Sequence, residues 1–408
     1  MSGTPQGSVW RQPAQVWAVA FACVVAFMGI GLVDPILPAI ADSLQASPVE
    51  TELLFTSYLL VTGLAMLITS WISSRIGAKA TLLVGLALIV VFALLCAVSG
   101  SVDWVIGFRA GWGLGNALFI STALATIVGA ATGGSGAAIV LYEAALGLGI
   151  AVGPLLGGLL GEISWRGPFF GVVALMAIGF IAVLTLVRRD GERREPMPFS
   201  APFRALRRPA LAVLAVAALF YNIGFFVLLA FSPFPLGFGA MGIGLTFFGW
   251  GVALAVTSVW VAPALMRRTS RTSIILVTLP LLAVVLIAAG LVVESPAALV
   301  ACIVAGGLLL GVMNTVLTEA VMEATDLPRS VASSAYSAVR FLGGAMAPPI
   351  AAALAHAYGD TVPYLFAAAA VLVAALTVLL GRRALAHIDD PAGDKAADAA
   401  AILIGDAA

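Results

Sequence analysis

Apolar residues run along this chain in stretches long enough to cross a bilayer, each broken by a few Gly, Pro, Ser or charged positions before the next begins. A helix needs roughly 20 apolar residues to span the hydrocarbon core. Twelve runs meet that length, at 15–38, 50–73, 79–100, 104–128, 136–161, 167–188, 209–232, 242–266, 272–293, 297–323, 331–357 and 361–381. They are called spans 1 to 12 below. They follow one another almost without pause, which leaves no stretch for a soluble catalytic domain. The first run exceeds a signal-peptide core and is expected to stay in the membrane as a helix.

The polar breaks carry the orientation. Lys and Arg accumulate on the cytoplasmic side of membrane proteins. With the N-terminus placed there, that side collects Arg11, Arg75, Lys79, Arg188, Arg189, Arg193, Arg194, Arg204, Arg207, Arg208, Arg267, Arg268, Arg271, Arg329, Arg382 and Arg383. The other side keeps Arg166 and holds Asp42, Glu50, Asp103, Glu162, Glu294 and Asp360. An even number of spans with both termini cytoplasmic follows, in a cell (inner) membrane.

The longest break, Arg188 to Pro209, is rich in arginine and carries Pro196, Pro198 and Pro202. It divides the chain into a six-helix bundle at 1–187, a cytoplasmic linker at 188–208 and a second bundle at 209–384, followed by an Ala-rich tail at 385–408 expected to be disordered. A weak repeat relates the bundles. Gly149, Gly153, Pro154, Gly157 and Gly158 in span 5 correspond at one fixed offset to Gly343, Ala347, Pro348, Ala351 and Ala352 in span 11. Likewise Asp34-Pro35 near the end of span 1 matches Ser232-Pro233 near the end of span 7. Parallel halves of this kind are a transporter architecture. The expected fold is an all-α membrane protein, twelve transmembrane helices in two pseudo-symmetric six-helix bundles.

Composition agrees with the pattern and excludes other classes. Of 408 residues 62% are hydrophobic and 10% charged, and the mean hydropathy is +1.12. A net charge of zero offers no basic surface to nucleic acid. Cys23, Cys96 and Cys302 lie singly in apolar runs and read as packing residues, with no metal-ligand spacing. His356 and His387 sit near membrane ends without an assigned role, and no cofactor is implied.

Three motifs stand out. In span 5, Gly149-Ile150-Ala151-Val152-Gly153-Pro154-Leu155-Leu156-Gly157-Gly158 is followed by Ser164-Trp165-Arg166 and Phe169. Its glycines let helices approach closely in lipid, and Pro154 removes a backbone hydrogen bond where a bend is useful. After span 2 comes Ser70-Trp71-Ile72-Ser73-Ser74-Arg75-Ile76-Gly77-Ala78-Lys79, and span 4 carries Arg109-Ala110-Gly111-Trp112-Gly113. Together these resemble the major facilitator superfamily, and within it the twelve-helix drug:proton antiporters, over essentially the whole chain. The resemblance implies that span 5 carries the antiporter motif and that Arg75, Gly77 and Lys79 belong to the loop motif between helices 2 and 3. There Ser70, Ser74 and Ala78 replace the usual Gly, Asp and basic residue, so the carboxylate of that motif is missing. In span 4 Arg109 is retained while Trp112 replaces the usual Gln.

Charge inside the hydrocarbon is costly and usually functional. Asp34, Arg109, Glu143, Glu319 and Arg340 are the candidates for proton coupling, since a carboxylate at low dielectric can take a proton from one side and surrender it to water or a cationic ligand. Asp34 and Arg109 fall at similar depth and are expected to pair. Glu319 has Arg340 of the next span as a possible fixed partner. Helical spacing puts Arg109, Trp112, Asn116 and Phe119 on one face of span 4, expected to line a cavity. Tyr221, Asn222, Phe225 and Phe226 in span 7, with Met313 and Asn314 in span 10, are expected to contact substrate. The resemblance makes the expected function proton-driven export of small amphiphilic compounds or drugs by a monomer in membrane lipid, through alternating access. Facilitated or uphill movement of one metabolite, a sugar or an amino acid, is the alternative from the same architecture. A non-transporting membrane receptor is a second class, and it would need neither the acids nor the bending motif.

Overall fold

A computed structural model describes residues 12–132, 134–188, 197–325 and 327–389. Twelve helices in it are long and apolar enough to cross a membrane: Ala14–Gly31, Glu50–Ile76, Ala78–Val98, Val102–Ala130, Leu141–Gly161, Gly167–Leu186, Pro209–Leu236, Ala240–Met266, Arg271–Leu291, Pro296–Glu323, Val331–Tyr358 and Thr361–Gly381. They match the twelve runs in order. One end of the bundle carries the connection between spans 6 and 7 and is called the linker side; the other is the far side.

Local chemistry sets the helix ends. Span 2 starts in a capping box, with the Ser47 amide and hydroxyl donating to Glu50 Oε2 at 2.7 and 2.6 Å and the Glu50 amide donating back to Ser47 Oγ at 3.3 Å. Gly77, at φ 87°, makes the turn into span 3 that an L side chain resists. The first run ends earlier than its hydrophobicity, because Pro35 and Pro38 divert the chain after Gly31 into a 3-10 turn, Asp34–Ile36, and a short helix, Leu37–Leu44. Spans 7 and 8 each contain a π segment, Val227–Phe231 and Thr257–Val261. The second one aims the Ser258 hydroxyl at the Gly311 carbonyl (2.9 Å) and its own carbonyl at the Thr315 hydroxyl (3.2 Å), tying span 8 to span 10.

Spans 1 to 6 pack around one another, and so do spans 7 to 12. The sequence repeat reappears as packing. Gly149 of span 5 lies on the Val24 carbonyl of span 1, and Gly343 of span 11 lies on the Leu219 carbonyl of span 7, the equivalent contact in the second bundle. The bundles meet along two seams, span 5 against span 8 and span 2 against span 11. Because span 5 corresponds to span 11 and span 2 to span 8, the two seams are one contact used twice. Side chains such as Val91, Leu94, Ile178, Ile181, Val277, Val284 and Leu376 point outward to lipid, and Trp17, Trp104 and Trp260 are exposed near helix ends, where indole rings favour the membrane interface.

The segments between and after the bundles carry short helical pieces. In the linker, Ala201–Ala205 forms a short helix against span 11 with Pro202 and Ala205 buried; residues 189–196 lie outside the described set. The tail expected to be disordered begins with a helical turn, Ala386–Asp389, held because Arg271 donates to the Ile388 carbonyl at 3.0 Å and the Thr272 amide to Asp389 Oδ1 at 3.1 Å. Residues 390–408 lie outside the described set.

Candidate functional site: a cavity between the two bundles

On the far side the seams are closed by small residues. A Cβ on Gly158 would stand 2.9 Å from the Ala240 carbonyl, and one on Gly244 would stand 2.7 Å from the Pro154 carbonyl. Nearer the middle Gly251 lies on the Ala151 backbone, and a Cβ on Gly147 would be 2.8 Å from that of Ala255. The span 5 motif therefore has two faces. Gly149, Gly153 and Gly157 meet the backbone of span 1 inside the first bundle, while Gly147, Ala151, Pro154 and Gly158 meet span 8 of the second. On the other seam the Thr56 hydroxyl donates to the Ala345 carbonyl at 3.2 Å, and a Cβ on Gly63 would be 3.0 Å from the Ala338 carbonyl.

From mid-depth toward the linker side the bundles part around a cavity of about 650 Å³, open solvent at its mouth included. The first bundle lines it with Phe27, Ile30, Ile120, Leu124, Tyr142, Glu143, Leu146 and Ile150. The second contributes Asn222, Phe225, Phe226, Thr318, Met322, Ser333, Tyr336, Ser337, Arg340 and Phe341. Its wall sets hydroxyls and the Asn222 amide among apolar and aromatic side chains, and its two charged groups are one carboxylate and one guanidinium. They come from opposite bundles: Glu143 from span 5, 2% exposed, and Arg340 from span 11, half-buried. Each is close enough to act on the other's charge, and Thr318 lies beside the carboxylate. Among the described residues no ion pair within 4.0 Å joins them, and Glu143 Oε2 is buried without a hydrogen-bond partner. Tyr336 lies one turn before Arg340, near Tyr221.

The remaining sequence candidates distribute as follows. Asn222, Phe225 and Phe226 line the cavity. Tyr221 lies behind them, its hydroxyl donating to Asn314 Oδ1 at 2.6 Å, and Met313 and Asn314 are fully buried in the second bundle. The span 4 stripe turns into the first bundle instead of toward the cavity, which takes Ile120 and Leu124 from that helix. Close approach of glycines explains this: Trp112 fits against Gly29, and the Phe119 backbone against Gly85. Asn116 is fully buried with them. Arg109 is held by backbone oxygen and by rings, its Nε donating to Leu54 O (3.3 Å) and Nη1 to Gly29 O (3.4 Å), with its guanidinium carbon 4.3 Å from the Tyr58 centroid and 4.8 Å from that of Trp112. The side chain of Asp34 lies outside the described residues, and with it the expected pair to Arg109.

Glu319 is not beside Arg340. It stands at the linker side, 3.6 Å from Arg271, which also binds Glu323 at 2.9 Å. Arg340 lies too deep in span 11 to reach it, whereas Arg271 opens span 9 at the same level as the end of span 10. The loop motif acts as a fastener. Lys79 Nζ donates to the last carbonyls of span 6, Leu184 (2.7 Å) and Val187 (2.6 Å). Ser74 Oγ accepts from the Met197 amide at 3.0 Å, and Arg75, stacked on Trp71, reaches the Met197 carbonyl at 3.4 Å. Sequence reasoning missed Phe27, Tyr142 and Tyr336 in the cavity. Adjacency of Tyr142 to Glu143, and the one-turn spacing of Tyr336 and Arg340, were the available signals.

Comparison with known proteins decides the family. The family model described as Major Facilitator Superfamily matches residues 19–348. This chain belongs to the major facilitator superfamily. It is a multi-pass membrane transporter and not an enzyme. It is 52% identical over 377 residues to the multidrug efflux protein YfmO of Bacillus subtilis (strain 168), covering 92% of this chain and 95% of that protein. It is 28% identical over 189 residues to the putative multidrug resistance protein MdtD of Escherichia coli O81 (strain ED1a), covering 46% of this chain and 39% of the relative. Among solved structures, the D-xylose-proton symporter superposes with a TM-score of 0.74 at 13% identity, covering 89% of this chain and 96% of that one. The human organic anion transporter MFSD10 (TETRAN) superposes with a TM-score of 0.68 at 16% identity, covering 90% and 99%. At those identities the structures speak for the fold alone.

Proposed function

We propose that this transporter exports small amphiphilic compounds, cationic ones foremost, from the cytoplasm in exchange for protons, as a monomer in the cell membrane. The linker side is then the cytoplasmic side, with both termini and the linker there, and the arrangement described is inward-facing: sealed outside, open to the cytoplasm. The domain limits proposed from sequence, bundles at 1–187 and 209–384, go with this reading. The similarity to multidrug efflux relatives supports the direction and the substrate class. A pocket whose aromatic and apolar side chains surround a carboxylate, hydroxyls and an amide suits amphiphilic guests, which bury their apolar part against the rings and turn a polar or cationic end to those groups.

The observation that carries the coupling is the pair Glu143 and Arg340 on opposite bundles. When the bundles rock, the distance between them changes. Close to Arg340 the Glu143 carboxylate is stabilised as an anion, so it gives its proton to the cytoplasm and can accept a cationic guest. Farther from Arg340, in an apolar wall, it holds a proton taken from outside, and the guest is released. Arg109 keeps span 4 seated against spans 1 and 2 in this cycle, and a pair with Asp34 would serve the same end.

Inverted vesicles containing the transporter test this reading. An imposed proton gradient should drive accumulation of lipophilic cations by the wild type, and Glu143→Gln should equilibrate them without accumulation. Gradient-independent movement of a sugar or amino acid, with no response to drugs, would replace the reading with a metabolite facilitator.

A further inference from the structure

The seam between spans 2 and 11 holds a carboxylate that the coupling reading does not use. Glu52 sits one helical turn before Thr56 and three turns before Gly63, two of the residues that touch span 11, so the three share one face of span 2. It is 2% exposed, and its Oε2 is buried without a hydrogen-bond partner. The antiparallel register of the two contacts places Pro349 opposite it. Pro349 has no N–H to give, and the neighbouring Ala345 carbonyl already receives the Thr56 hydroxyl.

Among the described residues, the other charged and titratable groups of the neighbouring helices are directed elsewhere. On its own helix Glu50 is half-buried and bound into its capping box, Tyr58 lies under Arg109, and Arg75 is at the linker end. Span 4 brings exposed Asp103, and Arg109, which donates to Leu54 and Gly29. Span 11 brings Tyr336 and Arg340 in the cavity, and His356 and Tyr358 exposed beyond the seam. Span 3 brings Lys79, bound to span 6, and Cys96, directed to the Val105 carbonyl, and the helix Leu37–Leu44 brings exposed Asp42. Among the described residues no cation lies within ion-pair distance of Glu52.

We propose that Glu52 is a second proton-binding site, built into the far-side seal and distinct from the cavity carboxylate. An unpaired carboxylate anion is too costly to bury in an apolar seam, so the seam closes over the neutral acid. As the far mouth shuts, Glu52 takes one proton from the water outside it. As the mouth opens and the side chain is hydrated, it returns that proton to the same water. Acid on the far side therefore favours closure, and the ratio of open to closed mouths changes by up to about tenfold per pH unit, one proton being exchanged. With the far side taken as the exterior, outside protons drive the emptied transporter back to its inward-facing form. The exchange at Glu52 itself moves no net charge across the membrane.

The test reads conformation instead of transport, so it stands apart from the coupling role of Glu143. The full chain in nanodiscs carries spin labels on cysteines replacing exposed Ile163 and Glu294, one per bundle on the far side. Between about pH 5 and pH 9, the population with separated labels should rise with pH. Glu52→Gln should stay closed across the range, and Glu52→Asp should restore a pH response. A Glu52→Gln protein that opens with pH like its parent overturns the proposal. The Glu143→Gln background decides the matter even if Glu52→Gln fails to reach the membrane. Persistence of the far-side response there supports the seal site, and its disappearance assigns the response to the cavity and overturns the proposal.

Discussion

The Thr56 hydroxyl of span 2 occupies the carbonyl of Ala345 on span 11, and the residue that would normally bond that carbonyl within its own helix is Pro349, which has no N–H. A helix defect in one bundle is thus satisfied by a side chain of the other, but only while the far side is shut. Thr56→Val keeps the shape and removes the donor. An unmet buried carbonyl costs about 1–3 kcal/mol, a shift of roughly 5- to 150-fold toward open far mouths. Alkylation of a cysteine placed near the Thr56 level should speed up accordingly, with Thr56→Ser close to wild type. Unchanged alkylation in the valine variant would mean the bond contributes nothing to closure.

Tyr221 and Asn314, joined at 2.6 Å, lie within one bundle, so their bond should bear on stability more than on gating. Tyr221→Phe leaves a buried amide oxygen unpaired and should lower the thermal unfolding midpoint in detergent, by an amount equivalent to about 1–3 kcal/mol. Adding Asn314→Leu should recover part of that loss, because an apolar pair needs no partner. Strictly additive losses would show that the two side chains act independently.

How much of this could be read from the sequence follows the range of the underlying physics. The twelve spans, the two bundles and their repeat were legible because hydrophobic length and loop charge are local properties. Glu143 and Arg340 were legible as charges out of place in apolar runs, although their facing one another was not. The span 4 stripe misled because periodicity fixes which residues share a face and says nothing about where that face points. The small residues Gly29 and Gly85 on neighbouring helices turn it inward. Glu319 misled because its partner, Arg271, is 48 positions away in the chain and adjacent only after spans 9 and 10 pack. Glu52 escaped notice because it stands two residues from Glu50 at a helix start, where acids are ordinary.

The two faces of span 5 should separate under substitution. Gly153 lies against Met28, where an added Cβ would be 2.6 Å from a carbonyl oxygen and 3.2 Å from a backbone carbon of the same bundle. Gly153→Leu should prevent that bundle from assembling and lower membrane yield sharply. Gly158 meets the Ala240 carbonyl of the other bundle, which can move away as a unit. Gly158→Leu should therefore yield folded protein with its far side held open, seen as monodisperse elution together with rapid far-side labelling. Equal losses of yield from both would argue that the seam is as rigid as a bundle interior.

The two acids first singled out for coupling should part company. Glu143 faces the cavity from span 5 with an oxygen unpartnered, whereas Glu319 shares Arg271 with Glu323 in a tie that also holds the Ile388 carbonyl. The side chains of Arg271, Glu319 and Glu323 are 19%, 24% and 40% exposed, so solvent screens the tie and each of its ion pairs contributes about 1 kcal/mol or less. Glu319→Gln keeps the stronger 2.9 Å contact to Glu323 and should retain most of the wild-type substrate gradient. Arg271→Gln removes the ion pairs of the tie and leaves the turn at Ala386–Asp389 held by the Thr272 amide alone, so hydrogen exchange there should speed up while uphill transport stays largely intact. Glu143→Gln should do the reverse, leaving exchange at that turn unchanged and abolishing uphill transport. Vesicle accumulation and peptide-resolved exchange, measured on the three variants together, make the comparison. Collapse of the gradient in Glu319→Gln would bring this acid into the proton path, and a full gradient in Glu143→Gln would take the cavity carboxylate out of it.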